Sequence, residues 1–224
     1  MRFATPLATL VLVACASPAH AADVTGSITL TSDYVWRGTS QTQGDPAVQA
    51  GMKVAADNGL YASAWGSNVE FSPELHASSE FDFNVGWSRK VSDDWTFDVN
   101  VLHYRYPSTT TDLDWTELNG TATFRDNAWL SLGWSPEALG TDGNGTYALV
   151  GGRWPINDRF RFEGAIAHYF LEESYSHANA SVIWMIRAPL ELRVTAHATD
   201  GDAKTLFGDD LAGHRIEVAL QTSL

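Results

Sequence analysis

The chain has 224 residues, enough for one domain or one barrel, and it carries a formal net charge of −13. This charge argues against a nucleic-acid partner, because phosphate binding requires basic patches. Aromatic residues make up 12% of the chain although its mean hydropathy is slightly negative, which is typical of a membrane barrel with an apolar outer face, aromatic girdles and a polar interior.

Residues 1–21 have the pattern of a cleaved secretory signal peptide. Arg2 is their only charged residue, an apolar stretch runs from Leu7 to Ala16, and Ala19-His20-Ala21 has the small-x-small form of a cleavage site. The stretch is shorter than the roughly 20 residues that a membrane-spanning helix needs. We therefore expect a mature barrel of residues 22–224 in the bacterial outer membrane.

The only cysteine of the chain, Cys15, lies within this predicted signal. Leu12-Val13-Ala14-Cys15 also has the form of a lipoprotein cleavage box, so lipidation at Cys15 is an alternative to cleavage after Ala21.

Alternation of apolar and polar residues with period two predicts β-strands over the rest of the chain. The clearest stretch, 80–91, places Phe81, Phe83, Val85 and Trp87 on one face and Glu80, Asp82 and Asn84 on the other. The predicted strands are 24–36, 46–56, 60–69, 80–90, 95–106, 115–125, 128–134, 146–154, 159–170, 177–187, 190–199 and 214–224. The fold class is thus all-β, a transmembrane antiparallel up-and-down β-barrel of about 12 strands.

The predicted connections alternate between long and short. Asp57-Asn58-Gly59 is among the short ones, and Asn58-Gly59 suits a tight hairpin because both residues tolerate a positive φ. Short periplasmic turns and longer extracellular loops are typical of outer-membrane barrels. A soluble β-sandwich or lipocalin-like barrel shows the same period, with its apolar face turned inward. Long strands, aromatic apolar faces and alternating connection lengths favour the membrane barrel.

Two segments resemble a known family. They are Ser32-Asp33-Tyr34-Val35-Trp36-Arg37-Gly38-Thr39-Ser40-Gln41-Thr42, followed by 46–51, and Gly59 to Val69. They are similar to the TorF family of porins, also known by its Gcw_chp motif. The resemblance implies an outer-membrane channel and brings no catalytic residues with it. The C-terminus departs from most outer-membrane barrels, since it ends Thr222-Ser223-Leu224 without an aromatic residue.

Charged and amide residues on the predicted polar faces are the candidates for lining a pore. They are Asp82, Asn84, Asp98, Asn100, Glu117, Asn119, Arg161, Glu163, Glu191, Arg193, Arg215 and Glu217. The last six form pairs at i, i+2 that share one side of a strand. The set predicts either a pore with an acidic wall and a mixed-charge wall, or an ion-pair network that fills a narrow barrel.

The end of the first predicted strand holds Asp33, Tyr34, Trp36 and Arg37. We expect Tyr34 and Trp36 to lie in an interfacial girdle, where such rings are common, with a local Asp33–Arg37 pair. The alternative is a solute-contacting mouth.

No motif for a catalytic nucleophile, a bound cofactor or a metal site is recognisable in the sequence. His168 and His177 flank Glu172 and Glu173, but we interpret this segment as a solvated loop.

We therefore expect passive diffusion of small hydrophilic solutes, with a cation preference that the acidic balance could impose. The expected partners are outer-membrane lipid and those solutes. The alternatives are a non-conducting barrel that binds a ligand or partner through its acidic loops, and an outer-membrane hydrolase.

Overall fold

The computed structural model describes residues 22–71, 74–107 and 109–224, and it folds as a closed antiparallel barrel. Each barrel strand pairs with the next barrel strand along the chain. The first strand closes the barrel by pairing with the last, from Ser27↔Ser223 to Thr31↔Ala219. The predicted twelve-stranded up-and-down barrel is confirmed. The predicted signal peptide lies outside the described residues.

The barrel strands have nearly the predicted bounds. They are β1 Asp23–Thr31, β4 Ala47–Ala55, β5 Leu60–Asn68, β6 Ser79–Lys90, β7 Trp95–Arg105, β8 Trp115–Phe124, β9 Ala128–Ser135, β10 Gly145–Pro155, β11 Phe160–Phe170, β12 Tyr175–Arg187, β13 Leu190–Thr199 and β14 Arg215–Ser223. We call the rim that carries connections such as 69–78 and 200–214 the long-loop end, and the opposite rim the short-turn end. None of the helices in the described part of the chain is long and apolar enough to cross a membrane.

The two faces of each strand differ in exposure, as the period-two pattern requires. Apolar side chains on the outer face are exposed: 65% of Val85 and 67% of Ile166 is accessible. Asp82 and Asn84, which alternate with Phe83 and Val85, are half-buried on the inner face. A continuous apolar outer surface on a closed barrel is the lipid-facing surface of a membrane barrel, because water would not stabilise so large an apolar area.

Glycines make room for large side chains inside the barrel. A Cβ on Gly86 would lie 2.7 Å from the Tyr61 ring, and a Cβ on Gly151 would lie 2.3 Å from the Trp129 ring. These rings therefore lie flat against the neighbouring strands. In the β4–β5 turn only Gly59, and not Asn58, has a positive φ (92°).

The tyrosines do not lie in the aromatic girdles that the composition led us to expect. Six of the seven are buried: Tyr34, Tyr61, Tyr104, Tyr147, Tyr169 and Tyr175. Lipid-facing rings are Trp and Phe instead, among them Trp95, Phe97, Trp154 and Phe162. Tyrosine suits the interior because its hydroxyl can be hydrogen-bonded there while its ring fills space.

Three features were not predicted: a hairpin, a helix and a 3₁₀ turn. The first strand ends at Thr31 instead of continuing to 36, and the chain then forms the short hairpin β2 Val35–Trp36 and β3 Thr39–Ser40. The long connection before β14 contains helix α1, Gly201–Phe207, whose N-cap Asp200 accepts a hydrogen bond from Ala203 N at 3.1 Å. A 3₁₀ turn, Ala138–Gly140, lies between β9 and β10.

Candidate functional site

The β2–β3 hairpin lies across the long-loop end of the barrel. Val35 pairs with Ser40 and Trp36 with Thr39, so Arg37 and Gly38 form a two-residue turn. Their φ angles are 47° and 85°, and such a turn requires positive values at both positions. A positive φ strains the backbone of an arginine, and such strain is common at functional sites.

Arg37 reaches the far side of the barrel and forms an ion pair with Glu117 of β8. Its Nη2 donates to both carboxylate oxygens of Glu117, at 2.6 and 2.9 Å. The guanidinium carbon also lies 3.9 Å from the centre of the Tyr147 ring and 4.7 Å from that of Tyr169. Contacts to aromatic faces stabilise a cation further. The hairpin tip is therefore held by β8, β10 and β11 together.

The pair is removed from water. The side chains of Arg37 and Glu117 are 9% and 1% exposed. Burial is the largest single influence and would lower the pKa of Arg37, but the carboxylate of Glu117, together with Tyr104 and Tyr169, raises the pKa above its usual value. Arg37 is therefore a permanent positive charge inside the outer section of the barrel.

Gly38 fits tightly against two further strands. A Cβ at this position would lie 2.7 Å from the His177 Cβ of β12 and 2.8 Å from the Thr199 Cγ2 of β13. The Tyr175 hydroxyl donates to the carbonyl oxygen of Arg37 at 3.2 Å. These contacts, with those of Arg37, hold the hairpin tip against the inner face and narrow the outer section of the barrel.

Asp33 anchors the base of the hairpin. Its Oδ1 accepts from the hydroxyl of Ser40 at 2.6 Å, and its Oδ2 accepts from Arg215 of β14 at 2.6 Å. Asp33 is 5% exposed. Burying a carboxylate requires such partners, and these tie the hairpin to the barrel wall.

Tyr34 and Trp36 do not lie in a lipid-facing girdle, so that expectation is wrong. Tyr34 is 8% exposed and packs edge-on against the inward Trp65, 5.4 Å between ring centres. Trp36 contacts Tyr104, Trp115 and Tyr169 inside the barrel. The expected Asp33–Arg37 pair is also wrong, because each residue pairs elsewhere. The expectation assumed that these residues end a strand at the membrane surface. They instead belong to a hairpin that folds back into the barrel, where their side chains contact the inner face.

The acidic and amide candidates of β6 and β7 lie on the inner face of the barrel. Asp98 accepts from the Tyr61 hydroxyl at 3.0 Å and from Asn100 Nδ2 at 2.8 Å. One side-chain oxygen each of Asp82, Asn84 and Asn100 is buried without a hydrogen-bond partner among the residues that the structure describes. Asn119 of β8 lies beside Gly133, 2.7 Å from where a Cβ would stand.

The mixed-charge candidates form a connected cluster nearer the short-turn end. Arg161 donates to both oxygens of Glu191 at 2.6 and 2.7 Å. Glu163 accepts from Arg161 at 3.0 Å and from Arg193 at 2.9 Å. Arg153, which the sequence analysis missed, adds a third arginine to Glu163 at 2.8 Å. A cavity of about 480 Å³ opens here, and its lining includes Arg153, Arg161, Glu191 and Arg193.

Arg215 and Glu217 do not pair with each other as an i, i+2 pair. Arg215 binds Asp33, and Glu217 accepts from His197 at 2.9 Å and from the Thr31 hydroxyl at 2.9 Å. The predicted inner-face set therefore divides by depth. Glu117, Arg215 and Glu217 lie with the hairpin, whereas the Arg161 cluster and Asp98 lie in the opposite half.

Sequence reasoning missed the rings that surround Arg37. Tyr147, Tyr169 and Tyr175 each stand at an inner-face position of a predicted or observed strand. The available signal was their two-residue spacing from polar inner-face positions, such as Tyr175 before His177. In the described part of the chain, no group of three or more His, Cys, Asp and Glu residues is arranged to hold a metal ion.

Comparisons with known proteins agree with this architecture. The family model described as "Bacterial protein of unknown function (Gcw_chp)" matches residues 15–181. No curated protein matches the chain in sequence.

Among solved structures, the KdgM porin superposes with a TM-score of 0.58 at 10% identity, covering 89% of this chain and 99% of that one. KdgM in complex with disordered oligogalacturonate gives 0.55 at 8% identity, covering 90% and 98%. The NanC porin gives 0.54 at 11% identity, covering 89% and 98%. At these identities the shared property is the fold.

Proposed function

The chain belongs to the Gcw_chp family, and from this premise we propose that it is an outer-membrane channel for small hydrophilic solutes, restricted at its outer mouth by the β2–β3 hairpin. The observation that supports the proposal best is the ion pair between Arg37 and Glu117, which holds a loop across a barrel whose remaining interior is polar. A loop folded into a barrel narrows the path without closing the barrel itself.

The barrel interior near the short-turn end has the polar side chains of an aqueous path. The side chains of Arg161, Glu191 and Arg193 remain 24%, 18% and 29% exposed inside it. Partly solvated charges are stable there because each has a partner, whereas they would be costly against lipid. A hydrophilic solute would exchange water for these groups at little cost.

The long-loop end faces the outside in this proposal and the short turns face the periplasm, which is the usual orientation of such barrels. The signal peptide would direct export and be removed by cleavage after Ala21. Mass spectrometry of the mature protein tests this point, since an N-terminus at Ala22 is expected and a lipidated Cys15 would contradict it.

A cation preference would arise at the mouth. The interior carboxylates Glu117, Glu163 and Glu191 are each compensated by arginine. The connections of the long-loop end carry further acidic residues, for example Glu172, Glu173 and Asp210, whereas Asp209 pairs with Lys204 at 3.1 Å. Acidic rims concentrate cations, and this effect weakens as salt is raised.

The experiment is a conductance measurement on purified protein in planar bilayers, with a variant in which Val35–Ser40 is replaced by a Gly-Gly link. We expect discrete steps from the natural protein and larger ones from the variant, with reversal potentials that show a cation preference at low salt. Both proteins must first show the shifted gel migration of an assembled barrel without boiling. Two assembled but silent proteins would overturn the proposal.

The second candidate is a non-conducting barrel that binds a ligand or partner through its loops. The observation that favours it is the filled outer section, where Tyr169 and Tyr175 are fully buried. In this case both proteins would assemble and remain silent, and deletion of 200–213, which contains α1, would abolish binding while the barrel still forms.

A further inference from the structure

A cavity of about 440 Å³ lies among the connections of the long-loop end, above the hairpin. Its walls come from several separate connections, including Tyr106, Leu139, Phe207 and Leu211, and Trp36 and Trp115 also line it. The cavity is distinct from the polar cavity of the Arg161 cluster at the short-turn end.

The lining is unusual for loops in water. Among the described residues that line the cavity there is no Asp, Glu, Lys or Arg, although the same connections are rich in acidic residues elsewhere. Apolar side chains in exposed loops are stabilised only if they are removed from water together. Here they surround an unfilled volume, whereas well-packed interiors leave few spaces larger than one water molecule.

The polar groups at the edge of the cavity already have partners. They belong to Thr39, Ser40 and Gln41 of the hairpin. The Thr39 hydroxyl donates to the Trp36 carbonyl at 2.9 Å, the Ser40 hydroxyl donates to Asp33 at 2.6 Å, and the Gln41 amide donates to the Thr39 carbonyl at 3.2 Å. A ligand would therefore be recognised mainly by its apolar surface.

We propose that this cavity binds a small, uncharged aromatic molecule from the external medium. Its volume lies within the roughly 300–1,000 Å³ of small-molecule sites. The rings of Trp36, Tyr106, Trp115 and Phe207 offer faces and edges for aromatic packing. An anion would be repelled by the acidic connections around the cavity. A cation is attracted by those connections, but inside the cavity it would lose its hydration without gaining a carboxylate partner, a cost that ring contacts alone do not offset. Binding at this site does not depend on whether the barrel conducts.

The test uses full-length mature protein in lipid nanodiscs and 4-fluorotoluene, a neutral aromatic probe observed by ¹⁹F NMR. Empty nanodiscs of the same lipid measure partition into the bilayer. We expect saturable broadening of the probe signal with protein present, and no such effect with 4-fluorobenzoate or 4-fluorobenzylammonium, which carry opposite charges on the same ring.

Leu211→Asp places a charge in the cavity and should weaken binding of the probe at least tenfold. Ile156→Asp is the matched control, since Ile156 is an exposed residue of the β10–β11 turn at the opposite rim, and it should bind as the natural protein does. Leu206 also lines the cavity. Leu206→Trp fills the cavity with apolar volume and should block binding without adding a charge, and it is the test to use if Leu211→Asp fails to assemble. Equal binding by natural protein, Leu211→Asp and Leu206→Trp, or only non-saturable partition, would overturn the proposal.

Discussion

The guanidinium of Arg37 lies 2.6 Å from the carboxylate of Glu117, although the two residues are 80 positions apart in the sequence. One comes from the tip of a hairpin after the first barrel strand, and the other from the inner face of β8 on the far wall. This contact spans the barrel, and the rings of Trp36, Tyr147 and Tyr169 pack around the ion pair in the outer section.

Glu117→Gln should release the hairpin. The variant keeps the shape of the side chain but leaves Arg37 as a buried cation without its counter-charge, and removing one partner of a buried pair costs about 3–5 kcal/mol. We expect a larger single-channel conductance or a higher open fraction in planar bilayers.

The double variant Arg37→Met/Glu117→Leu is the control for this effect. Apolar replacements of a buried pair are often neutral or stabilising, so it should keep the hairpin docked and stay near the natural conductance. An unchanged conductance in assembled Glu117→Gln would show that the hairpin does not limit the path.

Gly38→Ala should displace the hairpin tip for a steric reason. A Cβ there meets His177 and Thr199 at less than 3 Å, and the positive φ adds about 1 kcal/mol of strain. We expect faster cleavage of the hairpin by an externally added protease than in the natural protein.

Gly44→Ala separates the steric contact from the backbone strain. Gly44 also has a positive φ, 83°, but no atom lies within 4 Å of the added Cβ. It should carry the backbone strain alone and be cleaved much more slowly than Gly38→Ala. Equal cleavage of both variants would mean that the contact with β12 and β13 is unimportant.

Ile166→Arg tests the orientation of the strands. Ile166 is 67% exposed on the outer face of β11, and an arginine facing mid-bilayer costs about 2–4 kcal/mol. The free energy of unfolding in lipid vesicles should fall by that amount.

Ala167→Arg would crowd the buried inner face, so the better control is Ala165→Arg, at a half-buried inner position next to Ile166. It should lower the free energy of unfolding by less. A larger loss for Ala165→Arg than for Ile166→Arg would contradict a lipid-facing outer surface.

Glu163→Gln should shift the ion selectivity of the inner half toward anions. Glu163 is the shared partner of Arg153, Arg161 and Arg193, and the change removes its negative charge while the three arginines remain. The reversal potential in a KCl gradient, measured in the background of the hairpin-shortened variant, should move in the anion-selective direction.

Arg153→Gln is the matched variant of opposite sign and should move the reversal potential toward cations. If neither variant changes the reversal potential of a conducting channel, the cluster does not line the ion path.

The predicted inner-face residues were found partly from the sequence. Asp82, Asn84 and Asp98 follow from alternation with Phe83, Val85 and Phe97, because neighbouring residues of a strand face opposite sides. Their partners did not follow. Glu163 binds arginines of three strands. The register between these strands, which brings the side chains to one depth, is set only when the barrel closes.

By itself the sequence determined the strands, their two faces and the alternation of turns and loops, because these depend on residues a few positions apart. The tertiary structure alone decided that residues 32–42 turn back into the barrel and that the tyrosines fill it. The physical reason is that the partners of this segment, from Glu117 to Arg215, come within reach only when the sheet closes and brings opposite walls together.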